Sequence, residues 1–324
     1  MKDILKPLVA IECWAYNHKS YIRECLEGFV MQKTNFKFVA IVHDDASTDG
    51  TVGIIKEYAE KFPDIIKPIY ETENQYSKKD GSLQRIMNDA IEATGAKYVA
   101  MCEGDDYWID PYKLQKQVDF MEKNPEYVLT CHRYNVYNQN DGTWNSDYVH
   151  NLFETSPKGF PFSNKENLEF WITKTMTLLI RVSAYKKLFK LKNRLDVYFN
   201  YYLLKHGLGY CLPFIGAVYR KHIGGVSSSL EYVEKKFFTY MVFTDLYLDN
   251  IDDPDLLNNI LKIHNHIEFI LKKSLYASDF KYMKISLIQR FFKMEYKLNG
   301  LYSAMKMLIK CLLLFLHIKH INNG

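Results

Sequence analysis

The sequence has little of what marks several broad classes of protein. Its six cysteines are scattered and form no C-x-x-C pair, which excludes the common zinc and redox motifs and is typical of a reduced, cytoplasmic setting. The formal net charge of +4 is small for 324 residues and gives no support to nucleic-acid binding. The N-terminal apolar stretch is too short, and is interrupted too soon, to act as a signal peptide.

Several short catalytic motifs are also absent. No G-x-G-x-x-G follows a predicted strand, which excludes the dinucleotide-binding fingerprint, and there is no G-x-x-x-x-G-K-[ST], which excludes a P-loop. Neither G-x-S-x-G nor H-E-x-x-H occurs, so the corresponding hydrolase and zinc-protease motifs are missing too. Any chemistry must come from residues outside these motifs.

The chain does contain a regular alternation of strands and helices. Hydrophobic residues make up 48% of the sequence and charged residues 25%, as in a domain with a packed core. Apolar runs at 8–13, 36–42, 65–70 and 97–102 predict four strands with helical patterns between them, and Pro68 places the third strand at an edge. This alternation predicts an α/β fold with a Rossmann-like, mostly parallel sheet flanked by helices. Ligands bind such sheets at the carboxyl ends of the strands.

The second half of the chain changes in character. Up to about residue 230, strands and helices are mixed, with a helix at "DVYFNYYLLKHG" and a pair of short strands within "GYCLPFIGAVYRK". After that point only helical patterns remain. We therefore expect one α/β domain over 1–230 and a C-terminal helical appendage over 231–324. The segment 301–320 predicts a basic amphipathic helix, which either packs on the appendage or makes a peripheral contact with the inner face of the cytoplasmic membrane.

Three acids follow the fourth predicted strand within four residues: Glu103, Asp105 and Asp106. Adjacent carboxylates are hard oxygen ligands, suited to Mg²⁺ or Mn²⁺. Without a cation or solvent to balance them, these charges would repel one another. The alternative interpretation is a solvated turn, because Asp is common at turn positions.

The loops after the first two strands, and the third helix, offer groups that a nucleotide could use. Asp45 could accept a hydrogen bond from a nucleobase N–H, and the backbone of Ala15 and Tyr16 could flank the base. Asn17 either joins them or caps the following helix. Arg85 could reach a diphosphate as a bidentate donor, or could be a solvated arginine on a helix surface.

Three segments carry a family resemblance. "PLVAIECWAYNHKSYIRECLEGFVMQK", "VHDDASTDGT" and "CEGDDYWIDPYKLQKQVDFMEKNP" resemble, in order and spacing, the successive signatures of the family 2 glycosyltransferases of the polysaccharide type, which have the GT-A fold. The resemblance is strong over 7–138 and weaker up to 229. It implies inverting transfer of a sugar from a nucleotide-diphosphate donor, usually a UDP-sugar, to a glycan or lipid-linked acceptor, with Mn²⁺ or Mg²⁺ as cofactor.

The resemblance also assigns roles to matching residues. Asp45 matches the position that contacts the base, Asp105 would face the donor ribose or sugar, and Asp106 would bind the metal. Glu103 stands where the family often has Asp, and its role stays open. The usual Pro-Thr before the Tyr-Asn pair is replaced by Trp14-Ala15, which leaves details of the base pocket open.

Later matches complete this predicted site. Asp196, which opens a predicted helix, matches the general base that deprotonates the acceptor hydroxyl, and a helix N-terminus favours its ionised form. His222 would reach the metal or the diphosphate, and Arg220 would screen phosphate charge. Trp108 follows the acids and either stacks on the acceptor sugar or packs in the core.

Two other functions are alternatives to this one. A nucleotidyltransferase would need a Gly- and Arg/Lys-rich loop after the first strand, which "WAYNHKS" does not provide. The other alternative is a non-catalytic module that binds a sugar nucleotide or a glycan. The joint presence of Asp45, Asp105, Asp106 and Asp196 argues against it.

Overall fold

The structure is a computed structural model that describes residues 6–191, 195–224, 232–273, 288–289, 291–296, 299–300, 303–309 and 311. The chain divides into two compact units, Met1–His222 and Ile223–Gly324. The division falls a few residues before the boundary expected after 230.

The first unit contains a ten-stranded sheet in its described part. The strands are β1 Val9–Ala15, β2 Phe38–Asp44, β3 Ile66–Tyr70, β4 Tyr98–Met101, β5 Tyr107–Trp108, β6 Tyr127–Asn138, β7 Thr143–Ser146, β8 Phe160–Phe162, β9 Leu179–Arg181 and β10 Leu208–Lys221. Their order is β3-β2-β1-β4-β9-β6-β10-β5, with β7 paired to β6 and β8 to β10. The first four strands run parallel with β3 at the edge, as predicted, and β9 runs antiparallel between β4 and β6.

Helices cover both faces of this sheet. They are α1 Ile22–Val30, α2 Thr51–Lys61, α3 Ser82–Thr94, α4 Lys113–Lys123, α5 Leu152–Thr155, α6 Asn164–Phe170, α7 Val182–Tyr185 and α8 Asp196–Leu204. Side chains alternate along a strand, so Ile11 and Cys13 of β1 pack in one apolar layer with α1, α2 and α4. Glu12 points the other way and accepts a hydrogen bond from the Tyr185 hydroxyl of α7 (2.6 Å), in the layer that also holds α3 and α8.

One element differs from its prediction. The segment expected to form a pair of short strands is a single strand, β10, of 14 residues. Its pairing with β6 shifts register between Leu212 and Ile215 and again between Ile215 and Ala217. These irregularities accommodate Pro213 and Gly216, because a bulge tolerates residues that break regular pairing. The same two residues interrupt the strand pattern in the sequence, which therefore predicted two strands.

The second unit is helical in its described residues. It contains α9 Tyr232–Leu248 and α10 Pro254–Lys273, and helix recurs at 288–289, 291–296, 299–300, 303–309 and 311. His264 of α10 is buried and links two other parts of this unit. Its Nδ1 is hydrogen bonded to the Tyr240 hydroxyl (3.0 Å), and its Nε2 to Glu295 Oε2 (2.6 Å). Burial raises the pKa of Glu295, but hydrogen bonds from Ser303, His264 and Asn299 outweigh it and lower the net value.

The predicted membrane-contacting segment lies mostly outside the described residues. Where the structure describes it, Ala304, Met307 and Cys311 are buried, which agrees with packing of that part within its own unit. None of the described helices combines the length and the hydrophobicity that crossing a bilayer requires. A peripheral contact through 301–320 stays a prediction.

Lys113 of α4 is fully buried, and this predicts an unusual pH dependence of stability. Its ammonium lies 3.9 Å from the centre of the Trp108 ring and donates to Gln117 Oε1 (2.8 Å). Burial lowers the pKa of Lys113 to about 7. An unfolded lysine titrates at about 10.4. Between these values the unfolded state binds one more proton, so this group raises the free energy of unfolding by about 1.4 kcal/mol per pH unit as pH rises.

Urea unfolding at pH 7, 8 and 9 measures this effect, with tryptophan fluorescence reporting on the first unit, which holds all four tryptophans. We expect the free energy of unfolding of Lys113→Met to lack this increase with pH. Lys123→Met, which changes an exposed lysine at the other end of the same helix, should show the same increase as the wild type. Equal pH slopes for the wild type and Lys113→Met would contradict the prediction.

Candidate active site

The three acids form the centre of the candidate site at the carboxyl end of β4. The N–H of Gly104 donates to the Trp14 carbonyl (2.8 Å), which holds the acidic loop, residues 103–106, along the end of β1. A side chain at Gly104 would come within 2.8 Å of His18 Nδ1 and 3.1 Å of that carbonyl, so the loop needs glycine there. One side-chain oxygen each of Glu103, Asp105 and Asp106 lies within 4.8 Å of the others.

The end of β10 holds this loop in place. The backbone N–H of Arg220 donates to Asp106 Oδ1 (2.7 Å), and His222 Nε2 donates to Asp105 Oδ2 (3.1 Å). The structure therefore brings together four of the residues that the sequence predicted for the metal and the sugar nucleotide: Asp105, Asp106, Arg220 and His222.

Arg220 has a different task from the predicted one. The residue is buried, and its guanidinium donates to the Asp105 carbonyl (2.9 Å), to Glu24 Oε2 (2.5 Å) and to Gln139 Oε1 (3.3 Å). The guanidinium carbon also lies 4.8 Å from the centre of the Tyr107 ring. Since these protein groups occupy the guanidinium, the structure supports positioning of the acidic loop, not screening of a phosphate.

The electrostatics of the acidic loop favour a bound cation. Burial, together with the charge of Asp105, raises the pKa of Asp106 well above its usual range. Desolvation at this crowded loop and the charges of Asp105, Asp196 and Asp106 also raise the pKa of Glu103, although its side chain stays exposed at the surface. Burial also raises the pKa of Asp105, but the hydrogen bond from His222 outweighs it and lowers the net value. The three carboxylates thus repel one another without a counter-charge.

Asp196 acts electrostatically on the acidic loop. It is the first residue of α8, and its charge is one cause of the raised pKa of Glu103. Its side chain is open to solvent. Desolvation raises the pKa of Asp196, and the positive charge of Lys174 opposes this rise. The carboxylate is accessible and sits at a helix N-terminus, as a base would need.

The Asp45 side chain is less free to contact a nucleobase than the sequence predicted. Its carboxylate is buried and accepts hydrogen bonds from the backbone N–H groups of Gln75 (2.6 Å) and Tyr76 (3.1 Å). It thereby fixes the loop that follows β3. The rings of Tyr16 and Tyr76 are exposed beside it, by 48% and 67%, and Tyr76 is a residue that the sequence did not single out.

Ala15 and Asn17 link the first two loops. The Ala15 carbonyl accepts from the Asp45 N–H (2.9 Å). Asn17 has a φ of +53°, its N–H donates to Ser47 Oγ (2.9 Å), and its Oδ1 accepts from the Thr48 N–H (2.9 Å). These bonds cross to the loop after β2, and α1 has no side-chain cap, so Asn17 does not cap the following helix. Asn is one of the few residues that adopt this backbone region readily.

Trp108 is not placed to bind an acceptor. Its side chain is 2% exposed, its Nε1 donates to the Met176 carbonyl (2.9 Å), and its ring packs edge-on against Phe29 at 4.9 Å. The prediction that it stacks on a sugar is therefore wrong, and the core alternative holds. Arg85 lies on the surface and donates to the Asp80 carbonyl (2.9 Å), in agreement with the solvated interpretation.

Two residues of the site were not assigned from the sequence. The imidazole of His18 is enclosed near Asp105 and His222. Its enclosure lowers the pKa of His18, although the charge of Asp105 opposes this. The positive charge of Lys174 acts on both Asp106 and Asp196. His18 stands in the quoted "YNHKS" segment, whereas no periodicity or motif identifies Lys174.

The architecture and the acidic loop correspond to a known class of transferase. The chain superimposes on the Staphylococcus aureus protein TarS, solved with UDP-GlcNAc, with a TM-score of 0.65, 16% sequence identity and coverage of 94% of this chain and 89% of that one. At this identity the likeness establishes the fold, which is GT-A, as the sequence predicted.

The family follows from the sequence itself. Residues 14–189 match the profile described as Glycosyl transferase family 2, and the chain belongs to this family of glycosyltransferases. An uncharacterized protein of Mycobacterium tuberculosis is 32% identical over 234 residues, which cover 69% of this chain and 62% of that protein. The putative teichuronic acid biosynthesis glycosyltransferase TuaG of Bacillus subtilis is 34% identical over 146 residues, 45% of this chain and 53% of TuaG. The chain thus spans under two thirds of the length of these relatives.

Proposed function

We propose that this glycosyltransferase moves a sugar, with inversion, from a UDP-linked donor to a glycan or lipid-linked acceptor during the assembly of a polysaccharide. The observation that carries the proposal is the acidic loop at the carboxyl edge of the sheet, whose three carboxylates lie within 4.8 Å of one another and on which the charge of Asp196 acts. The name of TuaG supports a polysaccharide product, and the UDP-GlcNAc bound to TarS supports a UDP donor.

The acidic loop fits a divalent cation. Three carboxylates within 4.8 Å of one another form the hard oxygen set that Mn²⁺ and Mg²⁺ prefer, and desolvation together with the neighbouring carboxylates raises the pKa of Glu103 and of Asp106. Glu103, Asp105 and Asp106 would hold the ion, and His222 would orient Asp105 from behind. Bound there, the cation supplies positive charge to the departing diphosphate.

Asp196 is the proposed general base. It removes the proton from the acceptor hydroxyl while that oxygen forms its bond to the anomeric carbon and the bond from that carbon to the diphosphate oxygen breaks. A single displacement of this kind inverts the anomeric centre. A raised pKa suits this role, because a carboxylate of higher basicity accepts a proton more readily.

We place the nucleotide over the ends of β1 and β2. The exposed rings of Tyr16 and Tyr76 are the groups best placed to contact a base, and the Asp45 carboxylate fixes the loop that carries Tyr76. Aromatic faces in a partly enclosed site provide apolar contact area at little cost in side-chain entropy.

A donor screen tests the proposed function. The full chain is incubated with UDP-glucose, UDP-galactose, UDP-GlcNAc, UDP-glucuronate and GDP-mannose, with Mn²⁺ or with EDTA, and nucleotide release is measured. We expect Mn²⁺-dependent release of UDP from at least one donor, loss of release in EDTA and recovery when Mn²⁺ is restored. Release that EDTA leaves unchanged would contradict the metal site, and release of GDP alone would contradict the UDP donor.

A further inference from the structure

A lysine ringed by aromatic side chains lies beside the acidic loop. The Lys174 ammonium is 5.5 Å from the ring centre of Tyr148, 5.7 Å from that of Trp171 and 5.1 Å from that of Tyr219. These four residues, here called the aromatic cluster, come from three separate parts of the first unit. Tyr148 is 53% exposed and the other three are half-buried, so the cluster is open to a ligand.

No described carboxylate lies within ion-pair distance of the Lys174 ammonium, although the Lys174 charge acts at longer range on Asp106 and Asp196. Lys221 adds a second such cation, 5.8 Å from the centre of the Tyr148 ring. Two cations on an open aromatic surface, both without a carboxylate partner, provide a binding place for an external anion.

The cluster borders the proposed reaction centre. The positive charge of Lys174 is felt by Asp106 of the acidic loop and by Asp196. The chain geometry agrees: the Met176 carbonyl, two residues after Lys174, accepts from Trp108 Nε1 (2.9 Å). The N–H of Arg220, the residue after Tyr219, donates to Asp106 Oδ1 (2.7 Å), so the cluster lies beside the acidic loop.

The backbone at Trp171 is held in a conformation that is costly for a bulky residue. It has a φ of +52° and a ψ of +55°, at the end of α6, where its N–H donates to the Asn167 carbonyl (2.8 Å). A non-glycine residue in this region carries strain of order 1–3 kcal/mol, and such strain concentrates at functional sites. The strained turn directs the Trp171 ring to the face of the protein that carries Lys174.

We propose that the aromatic cluster is the acceptor subsite of this enzyme and that it takes a sugar bearing, or linked to, an anionic group. This inference rests on the proposed function of Asp196, since the hydroxyl that Asp196 deprotonates must belong to the acceptor. Aromatic faces match the apolar face of a pyranose ring, and Lys174 and Lys221 match its anion. The rings argue against the donor diphosphate as the ligand of Lys174, because a diphosphate has no apolar face that could pack against them.

Binding of simple sugars tests the subsite without any turnover. Saturation-transfer NMR on the full chain, in the absence of donor, would compare methyl β-glucoside with methyl β-glucuronide and with the 6-phosphate of methyl β-glucoside. We expect at least one anionic sugar to bind about tenfold more tightly than the neutral one, as a charge-assisted hydrogen bond predicts. Preference for the carboxylate indicates a uronate in the acceptor, and preference for the phosphate indicates a phosphorylated or lipid-phosphate acceptor.

Variants separate the cluster from general charge effects. Lys174→Met should reduce the affinity for the anionic sugar to that for the neutral one, and Lys174→Arg should largely restore it. Lys33→Met is the matched control, because Lys33 also stands over a half-exposed tyrosine, Tyr112 at 5.8 Å, away from the acidic loop. Equal binding of neutral and anionic sugars, or equal losses in Lys174→Met and Lys33→Met, would overturn the proposal.

A donor-binding measurement keeps this inference distinct from the proposed function. If Lys174→Met weakens the binding of UDP with Mn²⁺ and leaves sugar binding unchanged, Lys174 serves the donor and the acceptor subsite is wrong, while the proposed function stands. If the anionic sugars bind as expected and no donor is turned over, the cluster is a binding site for anionic sugars, and both its role as acceptor subsite and the proposed function fail.

Discussion

Asparagine in place of Asp196 is expected to lower the rate of UDP release from the donor by about 10²–10⁴-fold, the usual contribution of a general base. The substitution keeps the size of the side chain and removes its ability to accept a proton. Asp196 is not one of the three acids proposed to hold the cation, so the affinity for UDP with Mn²⁺ should change little. A fall in kcat with an unchanged dissociation constant for UDP is therefore the expected signature.

The measurement uses whichever UDP-sugar the full chain hydrolyses, with water as the acceptor, and isothermal titration calorimetry for UDP. Glu154→Gln serves as the control, because Glu154 is likewise an exposed acid in the first turn of a helix, α5. It should retain full activity. If Asp196→Asn also retained full activity, the base would have to be another residue, and Glu103 would be the first to examine because it is the other solvent-open acid of the cleft.

The placement of the acids could be predicted from the sequence because it depends on strand direction alone. Parallel strands end at a common edge, so the acids after β4 had to lie near the loop after β2. The third helix was also well defined, since it ends at Gly95, whose φ of +65° is the conformation that glycine adopts at a helix end. Features that depend on a single strand or helix could therefore be predicted from the sequence.

Side-chain direction at the site could not be predicted in the same way. The sequence left Trp108 either stacked on the acceptor or packed in the core. Tyr107 and Trp108 form β5 and pair with β10, and alternation along that short strand turns Trp108 inward. Arg220 is turned toward Glu24 and the acidic loop by its place near the end of β10. Both outcomes depend on pairing between segments about a hundred residues apart, which no local pattern encodes.

The aromatic cluster was even harder to predict from the sequence. Tyr148, Trp171, Lys174 and Tyr219 come from segments without a shared period or motif, and only the fold brings them together. Their relation to Asp196 is likewise a property of the folded chain. The sequence offered Trp108 as the aromatic group for the acceptor because it stands next to the acids. The structure offers residues that are distant in sequence and open to solvent.

Asp106→Asn is expected to have the other large effect, on binding as well as on turnover. The amide oxygen can still accept the Arg220 N–H, which Asp106 Oδ1 now accepts at 2.7 Å, so the loop should keep its shape. The loss of one charge from the triad should weaken Mn²⁺-dependent UDP binding by about 10–100-fold or more, since even outer-shell changes at metal sites cost that much. Turnover of the donor should fall with it, because the cation would no longer be held where the leaving diphosphate needs it.

The stability of the metal-free protein distinguishes this loss from unfolding. Burial and the charge of Asp105 raise the pKa of Asp106, which means that the ionised form is disfavoured in the folded state. A neutral amide removes this repulsion, so Asp106→Asn in EDTA should be at least as resistant to urea as the wild type. Asp110→Asn is the control, an acid just beyond the loop that pairs with Lys116 (2.5 Å), and it should leave metal-dependent binding intact. A destabilised Asp106→Asn, or one that binds UDP normally with Mn²⁺, would show that the acidic loop is a structural turn and not a cation site.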